Sequence, residues 1–220
     1  MATHLFDSPN EEWLQLRKNY ITATEMACLF KMGYKSAGKL MEEKMTLDHR
    51  IIKNEYMIIG NILEPAVLNC FKYRMGMDVG PAHPSKIVML TDDEHRISST
   101  PDGVFYTDSG HQLIECKTTH RKIDEWLDKL PDNYNIQVHV QLLTADLDVC
   151  MIGCMQYEYP LPFVAYKVKR NKRIDAILQK EAKRFWDCFD NDKVFEADLE
   201  LKKELKILLA ESCELVYTNR

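Results

Sequence analysis

The chain has 220 residues, 45% of them hydrophobic, with 34 acidic against 29 basic side chains and a formal net charge of −5. That is enough apolar material for one sizeable core, so one domain over 1–220 is expected, and the acidic balance excludes a protein that coats nucleic acid indiscriminately. No apolar run is long enough for a bilayer, "MATHLFDSPN" lacks an export signal, and the seven cysteines show no pairing rhythm, which predicts a cytoplasmic protein with reduced thiols and no membrane.

In chain order, "SPNEEWLQLRKN" opens with Ser8, Pro9 and Glu11, a capping-box start with Pro at the first helical position. "TATEMACLFKM" repeats the device with Thr22 and Glu25. From Asn54 to Met75, apolar residues at mostly helical intervals predict one long helix, with Pro65 marking a kink or a new start. The period then changes. "KIVMLT", "HRISST", "GVFYT" and "QLIECKTT" are short and rich in β-branched and aromatic residues, so they read as strands, with a hairpin turn at Asp108 to Gly110. "IDEWLDKL" and "YNIQVHVQLLTA" read as helices, "DVCMIGCMQYEY" and "FVAYKVKR" as strands, and "IDAILQKEAKRFWDCF" and "DLELKKELKILLAESCELV" as helices. The expected fold is α/β, a central mixed sheet flanked by helices. Cys150 and Cys154 are expected to pack as small apolar groups in their strand.

Residues two apart in a strand face the same side, so Glu115 and Lys117 project together while Ile114 and Cys116 point away. A hairpin through Asp108 to Gly110 permits Asp102 to lie beside Glu115, which would give two carboxylates with a lysine at their rim. Hard oxygen donors of this kind suit Mg²⁺, with Mn²⁺ as a substitute, and the chemistry they serve is phosphodiester hydrolysis. Elsewhere, "KVKRNKR" gathers Lys167, Lys169, Arg170, Lys172 and Arg173, which reads either as a solvated face or as a contact to a DNA backbone.

The order Pro101, Asp102, Gly103, a hairpin, then Glu115 and Lys117 on an apolar strand resembles the PD-(D/E)xK nuclease superfamily, whose core is restriction-endonuclease-like. Other segments narrow the resemblance to the lambda exonuclease and YqaJ-type viral recombinase family. "EEWLQLRKNYITATEM" is similar to its N-terminal motif through Trp13, Arg17, Ile21, Thr22, Ala23 and Thr24; "GNILEP" places Glu64 at its acidic helix position; "NIQVHVQLL" places Gln137 at its glutamine.

The resemblance implies a metal held by Asp102, Glu115 and the main-chain carbonyl of Cys116, with Glu64 completing the site. It implies that Lys117 acts on the attacking water with help from Gln137, and that Arg17 and Thr24 grip a terminal 5′-phosphate. The family makes a further basic contact to the 5′-phosphate, and neither Lys35 nor Lys39 aligns to it. The implied activity is a Mg²⁺-dependent 5′→3′ exonuclease that digests one strand of linear duplex DNA from its end and leaves a 3′ overhang for phage-type recombination. A homotrimeric ring, a single-strand annealing partner and the cytoplasm of a bacterial host belong to the same expectation. The alternatives are a restriction or repair endonuclease on the same core, which would cut closed circles, and a non-catalytic DNA-end-binding protein.

Overall fold

A computed structural model describes residues 1–8, 11–46, 55–108, 110–120 and 123–219. The expected helix starts at Pro9 and Asn54, and Ser109 of the hairpin turn, lie outside the described residues.

The strands divide between two sheets, where the sequence predicts one. The smaller contains β1 (Ala2–Phe6), β4 (Ile87–Asp92), β5 (Ile97–Ser99) and β2 (Ile21–Thr22) in the order β1-β4-β5-β2. The larger has the order β10-β9-β8-β7-β6-β3, from β3 (Val79–Pro81), β6 (Gly103–Thr107), β7 (Gly110–Thr119), β8 (Val149–Gln156), β9 (Phe163–Lys169) and β10 (Cys213–Asn219). Both sheets are mixed, because β2 runs parallel to β5 and β7 parallel to β8 while the other pairings are antiparallel. The split has a physical reason. "KIVMLT" and "HRISST" are paired by β1 and β2, two short strands from far earlier in the chain that carry no strong strand signal of their own.

Helices fill the remaining layers: α1 (Glu11–Lys18), α2 (Ala23–Leu29), α3 (Ala37–Met45), α4 (Glu55–Met75), α5 (Asp124–Asp128), α6 (Asp132–Ala145), α7 (Lys172–Asp190) and α8 (Leu199–Ser212). At the start of α2, Glu25 reaches back to accept the Thr22 backbone N–H at 3.0 Å, the return half of the expected capping box. Helix α4 runs through Pro65 without interruption. The last segment differs from expectation, since the helix ends at Ser212 and the chain continues as β10 along the edge of the larger sheet.

Helix α6 is the spine. Its Ile136, Val140 and Leu143 enter the helical core made with α2, α7 and α8, and its Val138 and Leu142 enter the core against the larger sheet. The polar residues that this helix buries find part of their hydrogen bonding within the chain. Asn135 donates to Leu209 O at 2.9 Å, His139 shares a hydrogen bond with Ser212 Oγ at 2.9 Å, and Thr144 with Ser99 Oγ at 2.6 Å. Cys150 and Cys154 face this core as packed thiols, and all seven cysteines are free.

Helix α4 covers the opposite face through Val67, Cys70 and Phe71. It lies close because two glycines leave room. A Cβ at Gly103 would sit 2.8 Å from Leu68 Cδ2, and one at Gly153 would sit 2.6 Å from Phe71 Cζ. Among the described residues, no helix is long and apolar enough to cross a membrane.

Candidate active site

The β6–β7 hairpin forms in the expected register, with Gly103 opposite Ile114 and Thr107 opposite Gly110. Asp102 therefore enters beside β7, where its Oδ2 accepts the Cys116 backbone N–H at 2.8 Å. On β7, Glu115 and Lys117 turn toward α6, and the Lys117 ammonium donates to Glu115 Oε1. Two residues on α6, one turn apart, close on the same carboxylate: Gln137 donates to Oε1 and Gln141 to Oε2. Glu115 is 1% exposed. Gln141 matches no motif of its own, although the i, i+4 spacing from Gln137 puts both amides on one helix face.

The electrostatics are unbalanced. Burial raises the Asp102 pKa well above the usual carboxylate value, and the charges of Glu115 and Glu64 add to it. Glu64, presented by α4, is raised by burial and then by Glu115. Burial opposes the Lys117 charge, but Glu115 and then Asp102 outweigh it, so Lys117 remains an ammonium with a pKa above its ordinary value. One ammonium thus faces the carboxyls of Asp102, Glu115 and Glu64.

That imbalance is what a divalent cation would relieve, and the donors are the hard oxygens that Mg²⁺ and Mn²⁺ prefer. Among the described residues, no three His, Cys, Asp or Glu side chains converge as a ready ligand set. At Glu115, Lys117, Gln137 and Gln141 occupy three of roughly four acceptor positions and leave room for one further partner. Cys116, whose carbonyl is the remaining predicted donor, lies between Glu115 and Lys117, and its thiol side packs in the core under α4.

The predicted phosphate residues form a second group on α1 and α2. The Arg17 guanidinium lies 4.3 Å from the centre of the Trp13 ring. Burial lowers the Arg17 pKa, and Glu25 opposes the change. Glu25 also takes a 2.8 Å ion pair from Lys44, whose ammonium donates to the carbonyls of Arg17 and Tyr20 as well. The Glu25 charge thus acts on both cations. Thr24 is exposed at the start of α2, which packs against α6. Lys44 is absent from the sequence reading, and no local pattern marks it. Lys35 and Lys39 are engaged with Glu43 and Glu42.

The basic run does not join the acidic centre. Lys169 pairs with Val149 at one end of β8, whereas Lys117 pairs with Cys154 toward the other. Arg170 bridges Asp146 and Asp175, Lys172 lies 3.7 Å from Asp175, and Arg173 pairs with Glu204. Lys167 is half-buried and Lys169 exposed.

The model of the YqaJ-like viral recombinase domain matches residues 12–148, which include Arg17, Glu64, Asp102, Glu115, Lys117 and Gln137. The chain belongs to this family. No curated protein sequence matches it. Among solved structures, the YqaJ-like chain is similar to the alkaline exonuclease LHK-Exo from Laribacter hongkongensis, with 22% identity and a TM-score of 0.61 over 90% of this chain and 96% of that one. A structure of LHK-Exo in complex with dAMP matches over the same shares of the two chains with a TM-score of 0.60. A phage related exonuclease from Haemophilus somnus 129PT matches at 12% identity and a TM-score of 0.58, over 79% of this chain and 96% of that one. At these identities the likeness is one of fold, and it is the fold of exonucleases.

Proposed function

We propose that this YqaJ-like chain is a divalent-metal-dependent 5′→3′ exonuclease that digests one strand of linear duplex DNA and leaves a 3′ overhang for recombination by strand annealing. The observation that carries the reading is the group of buried Glu115 and half-buried Asp102 and Glu64 around one ammonium, with Gln137 and Gln141 fixing the central carboxylate. Asp102, Glu115 and the Cys116 carbonyl would hold the metal, with Glu64 beside them. The metal supplies Lewis-acid polarisation of the scissile phosphate and lowers the proton affinity of water.

The chain's own residues do the rest. Arg17 and Thr24 grip the terminal 5′-phosphate and set which phosphodiester reaches the acids. Water attacks phosphorus, the bond from phosphorus to O3′ breaks, and the terminal nucleotide departs with a 3′-hydroxyl and its own 5′-phosphate. The strand left behind carries a new 5′-phosphate, which is the group that the Arg17 pocket recognises, so each product end is the next substrate. Lys117, which donates to Glu115 Oε1, acts on the attacking water, orienting it or helping to deprotonate it, and stabilises developing charge. The dAMP bound by LHK-Exo is a nucleotide of the kind such a reaction releases. A ring of three copies around the DNA, a single-strand annealing partner and a bacterial cytoplasm complete the proposal.

The test compares nucleotide release from linear 5′-phosphorylated duplex and from covalently closed circles, with Mg²⁺ or EDTA, for the wild type and Lys117→Ala. The expected result is release from the linear substrate alone, absent in EDTA and reduced about 10²–10⁴-fold in the variant. Cutting of circles would establish an endonuclease instead, and no release from either substrate would leave an end-binding protein.

A further inference from the structure

Tyr34, in the loop between α2 and α3, is 70% exposed and yet firmly held. Its hydroxyl donates to Tyr134 Oη at 2.6 Å and accepts from Asn133 Nδ2 at 3.0 Å. Its backbone is fixed on both sides. Gly33 is pressed so closely on α2 that a Cβ there would lie 2.5 Å from Cys28 Sγ, and after Lys35 the Ser36 hydroxyl caps α3 by accepting from Lys39 N at 3.1 Å. An aromatic ring immobilised without being buried loses conformational freedom and gains little apolar burial in return.

The ring also stands at a specific place. The Tyr134 ring centre is 5.3 Å from the Lys117 ammonium, and Trp126 stacks behind it at 5.2 Å. Tyr34 follows one ring further out, at 6.5 Å from Tyr134 and tilted by 56°, so the two tyrosines do not stack on each other. Two aromatic rings, Tyr134 and Tyr34, thus lead from Lys117 to the loop that follows the helix carrying Thr24, with Trp126 packed on the first. This line offers a flat π-surface beside a centre that cuts phosphodiesters, and the flat group every nucleotide brings is its base.

We propose that Tyr34 is a stacking platform for the base of the 5′-terminal nucleotide. Stacking tolerates any base, as a sequence-indifferent exonuclease requires, and it would hold the sugar between the gripped 5′-phosphate and the phosphodiester to be cut. The identity of that nucleotide rests on the exonuclease reading; the platform itself rests on the placement of Tyr34.

The test uses a 5′-phosphorylated duplex with 2-aminopurine as its terminal base, bound in EDTA by the wild type, Tyr34→Phe and Tyr34→Ala. Fluorescence should be quenched by the wild type and by Tyr34→Phe, which keeps the ring, and remain high with Tyr34→Ala. With Mg²⁺ present, an abasic terminal nucleotide should be released about tenfold more slowly than a normal one by the wild type, and no more slowly by Tyr34→Ala. Equal quenching by wild type and Tyr34→Ala, or an undiminished abasic penalty in that variant, overturns the platform. A wild type that shows Tyr34-dependent quenching but releases no nucleotide would sink the exonuclease reading and leave the platform standing.

Discussion

The acidic centre on β7 and the basic segment after β9 are both dense in charge, and they treat charge in opposite ways. Around Glu115, three buried or half-buried carboxyls face one ammonium, and Asp102 and Glu64 are driven toward their protonated forms. Around Arg170, the guanidinium is 6% exposed in its side chain and is matched by Asp146 and by Asp175, itself 6% exposed. The second arrangement finds its counter-charges within the chain, so its charges serve the fold. The first is incomplete, and an incomplete buried charge set is maintained only where something outside the chain completes it. Density of charge in the sequence does not separate the two, whereas matching in space does.

The sharpest break in the comparison is Asp102→Asn. The Asn carbonyl can still accept from Cys116 N while one of the crowded charges disappears, so the melting temperature should hold or rise as nucleotide release falls by about 10³-fold. Mg²⁺ should raise the melting temperature of the wild type and not of this variant, which calorimetry would read. Arg170→Met should do the reverse. It removes the buried partner of Asp175, leaving Lys172 at 3.7 Å, and is expected to remove about 3 kcal/mol of stability in a urea titration, with release per folded molecule unchanged.

The smallest effect concerns His139, a buried base with no acid partner. Burial first, and then the charge of Arg170, lower its pKa to about 3, so it stays neutral in the folded chain. Because the unfolded chain protonates this ring near its ordinary value of 6.5 and the folded chain does not, its stability contribution is present above 6.5. It is lost at up to about 1.4 kcal/mol per pH unit as the pH falls toward 3. Urea titrations of the wild type and His139→Leu between pH 7 and pH 5, in about unit steps, should show a slope that is shallower in the variant.

What the sequence makes legible follows from the range of the interactions involved. The Thr22–Glu25 cap and the hairpin that sets Asp102 beside β7 are decided within a few residues, and both form as expected. The placement of Gln137 follows from one helix lying on one strand. The partition into two sheets depends on β1 pairing with β4, a contact between chain ends of long loops that no local pattern encodes. β10 is hidden for a related reason, because "CELVYTN" follows a strongly helical run and becomes a strand only against β9. Lys44 joins the Arg17 group through backbone carbonyls, which carry no signature in side-chain identity.

The glycines beneath α4 bear on the centre in a way that no charge reveals. Gly103 and Gly153 meet Leu68 and Phe71, residues on the same helix as Glu64. The height of that helix above the sheet is set by hydrogen atoms standing where methyl groups would otherwise be. The reach of a carboxylate toward its neighbours is therefore gauged by two positions that carry no side chain at all, much as a shim fixes the clearance of a bearing.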